Sequence, residues 1–174
     1  MTSEQYARQA GEFIPPALRT PMGLYPPVAV RALELGVFIR DEGNDADEVI
    51  VIAGALLRYL LAPAAILGAG TPRPDFGRID KIWLKPSAST RHLGALRDFQ
   101  LLAAAYVSNG AALSADPLSR ARRLATMTQE VHGMVEHLAV ILGHHGYSLG
   151  HAAHRDLEAL VARAETAALA TATR

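Results

Sequence analysis

Apolar residues recur at spacings of three and four along most of this chain, the period of helices that bury one face. From about Pro27 to Arg40 the apolar side is Val30, Leu33 and Val37, with Leu35 and Phe38 beside it. Pro27 stands where a first helical turn tolerates proline. Asp41-Glu42-Gly43-Asn44 reads as a turn, and Asp45 with Glu48 three residues on resembles a capping box. Val49–Leu61 is apolar all round except for Arg58, which predicts an enclosed central helix. Pro63 is expected to end or kink it. A third helix, from Ser87 or Ser89 to about Ser108, carries Leu93, Leu96, Phe99, Leu102, Ala103, Tyr106 and Val107, and Asn109-Gly110 is its expected stop. Asp116-Pro117 is an N-cap followed by proline. It opens a fourth helix to Leu142 with Leu118, Leu124, Val131, Val135, Leu138 and Leu142 inward.

Gly143 is the expected C-cap of that helix, and Ser148 the N-cap of a fifth, which runs to about Leu169. Leu149, Ala153, Leu157, Leu160, Ala164 and Ala168 form its inner face. The short connection makes helices four and five antiparallel neighbours. Thr166–Arg174 is a small, polar tail.

Two stretches lack this period. In residues 1–26, Glu4–Glu12 can form one short helix. Pro15-Pro16, Pro21 and Pro26-Pro27 then argue against regular structure, because proline removes a donor and restricts the residue before it. Phe13, Ile14, Leu18, Met22, Leu24 and Tyr25 are too apolar for a free tail, so an extended arm lying on the domain or on a neighbouring subunit is expected. Gly68–Pro86 is rich in glycine and proline. Within it, Arg78–Leu84 reads as one short strand or an ordered connection anchored by Trp83. Gly68-Ala69-Gly70 lacks the Gly-Lys-Ser/Thr end of a phosphate loop. The fold class is therefore all-α: about five helices around a central apolar helix, with residues 1–26 as the arm and 27–174 as the domain.

Composition narrows the function. Seventeen basic and seventeen acidic residues cancel. Phosphate binding calls for a basic excess or stripe, so no nucleic-acid partner is expected. There is no cysteine, so disulfides and thiolate metal sites are excluded. Met1–Gly11 is polar and mixed in charge, unlike a signal peptide, and a cytoplasmic setting is expected. Val49–Gly70 is interrupted by Arg58 and Pro63, which favours a buried soluble helix over a membrane span.

Six of the seven histidines lie between Asp116 and Glu165. If helices four and five pair, His137 and His154 flank one end of the pair. His144 and His145 cap that end, and Glu130 or Glu136 lies near. Imidazoles of that kind serve acid–base chemistry or bind metal. The spacing argues against metal: only His151 and His154 stand three apart, and no Glu-x-x-His or His-Glu-x-x-His occurs. Helix-end histidines also have a plain role beside the last carbonyls. No adjacent His-Asp pair of the phosphohydrolase type exists, since His154-Arg155-Asp156 is interrupted.

Arg58, alone in an apolar helix, needs a carboxylate or an anionic ligand, and Asp98 is the expected partner. Trp83 and Tyr147 are the aromatic candidates for ligand contact. The leading expectation is a non-enzymatic helical interaction or small-ligand-binding module. It needs no cofactor, forms a homo-oligomer, and could engage a protein partner through its N-terminal arm. The rival is a small helical hydrolase using His137, His144, His145, His154 and Glu130.

Overall fold

The computed structural model describes residues 1–40, 46–67, 74–83, 92–113 and 116–172. The centre is α4 (Ala46–Leu67), as its all-round apolar sequence requires. Val49, Ile50, Ala53, Leu56, Leu57 and Leu60 are all buried. The helix continues through Pro63. Around it lie α1 (Ser3–Glu12), α3 (Pro26–Arg40) and α8 (Leu149–Ala172), while α6 (His92–Ala111) and α7 (Pro117–His144) pair with each other and close the other side. No strand occurs among the described residues. By length and composition, Pro21–Arg40 is apolar enough to cross a membrane, and a third of it (33%) is buried in the protein.

The N-terminal segment is not extended. Thr2 caps α1 reciprocally: its hydroxyl accepts from the Gln5 amide at 3.2 Å, and the Gln5 side chain accepts from the Thr2 amide at 2.9 Å. A 3₁₀ turn follows at Pro16–Leu18, then a one-turn helix, α2 (Pro21–Leu24), capped by Thr20. The prolines occupy first helical positions, where their fixed φ starts a turn rather than preventing one. Ile14, Leu24 and Tyr25 are buried on the domain.

The stretch read as an ordered connection, with a strand as the other option, holds a helix, α5 (Phe76–Trp83). Phe76, Ile79 and Trp83 stand at helical spacing and face the core. This helix fixes α8: the Asp80 carboxylate accepts from the Leu149 amide at 2.9 Å, at the helix N-terminus. Burial raises the Asp80 carboxyl above its ordinary value, and the Leu149 and Gly150 amides oppose that shift.

Helix α7 ends two residues later than Gly143 suggested, at His144. The left-handed residue is Gly146, at φ 79°. The Tyr147 amide donates to Leu142 O at 2.9 Å and the Gly146 amide to Gly143 O at 3.2 Å, a Schellman ending. After this turn α8 does not lie along α7 as expected; it leaves α7 and packs on α4. Asp116 and Ser148 cap as the sequence predicts, accepting from Ser119 at 2.8 Å and His151 at 3.1 Å. Asn109-Gly110 is no stop, because α6 continues to Ala111 with Gly110 against the Tyr25 ring. The expected turn at Asp41–Asn44, the caps at Asp45, Ser87 and Ser89, and Gly68-Ala69-Gly70 lie outside the described residues.

Gly54 sets the approach of α8 to α4. A Cβ there would stand 2.7 Å from Ala152 O and 2.8 Å from Asp156 Cβ. Backbone oxygen cannot yield without moving the helix. Gly54→Ala should therefore lower unfolding stability by about 1–3 kcal/mol in urea titration. An unchanged midpoint would mean that α8 can slide away freely.

Candidate functional site

The main concavity lies between α3, α4 and α8 and encloses about 770 Å³. Its wall on α3 is Val30, Leu33 and Val37. Its floor on α4 includes Val51 and Ala55, and α8 contributes Arg155, Ala159 and Arg163. The α3 residues are the ones the sequence pattern placed inside, and that expectation is overturned. Val30 is 54% exposed, Leu33 64% and Val37 60%, while Val28, Ala32, Leu35 and Gly36 are buried. The reason is steric. Gln100 of α6 donates to Ala32 O at 3.2 Å, and a Cβ on Gly36 would stand 2.1 Å from Gln100 Nε2. Ala32 and Gly36 meet the Gln100 side chain on the face they share with the buried Val28 and Leu35, and Val30, Leu33 and Val37 are left facing the groove.

Arg58 closes the deep side of this groove. Its partner is Asp156 on α8, at 2.9 Å, and not Asp98, which is exposed on α6. The two side chains are 13% and 6% exposed. Tyr6 reaches in from α1, and its single hydroxyl proton is shared between Asp156 Oδ2 and Gly54 O, each at 2.8 Å. Burial pushes the Tyr6 hydroxyl well up, the Asp156 charge and hydrogen bond add to that, and Arg58 opposes. Arg58 Nε is buried without a hydrogen-bond partner among the described residues. The guanidinium also lies 5.5 Å from the Tyr59 ring centre.

The histidines divide. His144 stacks on His92 with ring centres 3.7 Å apart, and His145 meets His144 edge-on at 5.0 Å. His92, read from sequence as a surface residue, joins this group because the start of α6 lies beside the end of α7. Its spacing in sequence gave no signal of that. His145 Nε2 is buried without a partner among the described residues. Burial lowers its pKa, and the neighbouring His144 and His92 add to the effect. His154 is exposed on α8 and pairs with Glu158 at 3.2 Å. His137 is half-buried on α7 and makes no ring contact with the others.

Glu130 precedes His144 by fourteen residues on the same helix, about 21 Å at 1.5 Å per residue. It is buried and accepts from Asn109 at 2.7 Å, and Arg123 in turn donates to Asn109 at 3.3 Å. Burial raises its pKa, partly offset by Asn109. Tyr147 donates to Asp47 at 3.0 Å, and Trp83 packs against the core; neither lines the groove. Among the described residues no group of three or more His, Asp or Glu side chains is placed to hold a metal ion. Comparison with protein-family models, with curated proteins and with solved structures gives no match.

Two outcomes follow from these contacts. Arg58→Met should strand Asp156 and lower stability by about 3–5 kcal/mol, read by denaturant unfolding; a loss below about 1 kcal/mol would show that the pair contributes no more than an exposed ion pair. The His145 effect has a definite sign. Its folded pKa lies below the unfolded value of 6.5, so the unfolded chain binds more protons between the two. Its contribution is intact above 6.5 and declines as pH falls toward the folded pKa. Wild type should therefore lose more melting temperature from pH 7 to pH 5 than His145→Gln does. Parallel profiles would show that His145 carries no such linkage.

Proposed function

We propose that this chain is a non-enzymatic interaction module whose binding surface is the groove between α3, α4 and α8. One observation carries the reading: the exposed stripe Val30, Leu33 and Val37 beside a concavity of about 770 Å³. Single exposed apolar residues are ordinary, but three on one helix face next to a groove mark an interaction surface. The balanced charge supports a protein partner over nucleic acid. No step of the proposed function needs a cofactor.

The hydrolase alternative has less support. Its residues are divided among separate partners: Glu130 with Asn109, His154 with Glu158, and His144 with His92. Acid–base catalysis needs its groups within about 3 Å of shared reacting atoms.

Carbene footprinting of the wild-type chain tests the proposal. Labelling at Val30, Leu33 and Val37 should be strong in dilute purified protein. It should fall several-fold in concentrated protein or in extract of the source cells, while labelling of exposed Leu93 and Leu118 stays constant. Equal labelling of the stripe under all three conditions would refute an interaction role for this face.

A further inference from the structure

The groove carries opposite charge at its two ends. Helices α4 and α8 run in the same direction: Asp47 meets Tyr147, Gly54 meets Ala152, and Arg58 meets Asp156 in succession. Glu48 lies in the first turn of α4, ten residues and about 15 Å before Arg58. Arg163 lies seven residues beyond Asp156 on α8, about 10 Å further along. Both line the groove and both are exposed. The other charges of the wall are engaged: Arg31 with Glu34, Arg58 with Asp156, and Arg155 with Glu158. Glu48 and Arg163 make no hydrogen bond or ion pair among the described residues. Between them lies the apolar stretch of Val30, Leu33 and Val37.

We infer that the occupant of this groove is a second copy of the chain, docked about a two-fold axis through the apolar middle, with Glu48 of each copy facing Arg163 of the other. This rests on the interaction reading above and specifies its partner. A two-fold contact is self-complementary: whatever one copy offers at one end, its partner offers at the other. A groove acidic at one end, basic at the other and apolar between satisfies that condition without change. The zero net charge leaves no overall repulsion between copies. A purely anionic amphiphile would be attracted by Arg163 and repelled by Glu48, so it matches only half of the pattern.

Sedimentation equilibrium on the full chain tests this. Wild type should dimerise at micromolar concentration, and Leu33→Asp should be monomeric. Glu48→Arg and Arg163→Glu should each weaken self-association about tenfold or more, since each homodimer then sets like charges together at both ends. A mixture of these two single variants should associate as wild type does, because each contact then joins one arginine to one glutamate. Unchanged circular-dichroism melting shows that the variants are folded, which surface positions favour.

Wild type that stays monomeric at about 100 μM overturns the second-copy occupant. In that case, protection of the stripe in extract, or on phosphatidylcholine vesicles, would identify a foreign protein or a lipid surface in its place. A dimer untouched by Leu33→Asp places self-association on another face and also overturns it. Failure of the mixed variants to associate overturns the antiparallel pairing. The interaction reading itself falls only if the footprint at the stripe never changes.

Discussion

A guanidinium inside the most apolar helix of the chain is the constraint on which the rest depends. Arg58 cannot be buried alone, since an unpaired charge in that setting costs several kcal/mol. Asp156 answers it from α8 at 2.9 Å, and Tyr6 answers Asp156 from α1 at 2.8 Å. One ion pair thus joins three helices. It also explains Gly54: the carbonyl that shares the Tyr6 proton belongs to the residue whose missing side chain admits α8. The charge, the hydroxyl and the glycine form one device. Removing any part leaves the other two with a cost and no return.

The same device decides which surface stays open. With α1 and α8 drawn onto α4, α3 packs on both α4 and α6. Val28, Ala32, Leu35 and Gly36 go inward, and Val30, Leu33 and Val37 go outward beside α8. The groove is therefore a by-product of how the core closes, and its depth is set by Arg58 and Asp156. The proposed binding surface thus rests on a buried, paired part of the core rather than on a loop.

Much of the fold was legible in the residues. The enclosed helix at Val49–Leu61, the Asp116-Pro117 start and the Ser148 cap follow from local rules, and local rules hold where a helix end makes its own contacts. α3 was not legible. Its aliphatics lie on two faces, so periodicity could not choose, and the choice fell to a close approach by Gln100 sixty-eight residues from Ala32. The need of Arg58 for a carboxylate was readable; its choice of Asp156 over Asp98 was not, because that depends on where α8 goes after Gly146. Similarly, His144 and His145 stood out in sequence by type, but His92 entered their group only through the crossing of α6 and α7. The helix in the stretch read as an ordered connection was missed for a simpler reason. Phe76 belongs to the same stripe as Ile79 and Trp83, and including it turns the period from two to between three and four.

Tyr6 and Asp156 are 150 residues apart, and this separation governs how the chain comes off the ribosome. At roughly 5–20 residues per second, Tyr6 emerges about 8–30 s before its acceptor. For the 98 residues between Arg58 and Asp156, the guanidinium has no carboxylate, and the side of α4 that α8 will cover lacks its partner. The latch can close only once nearly the whole sequence has been made, so the face of α4 that meets α8 stays without its cover until then.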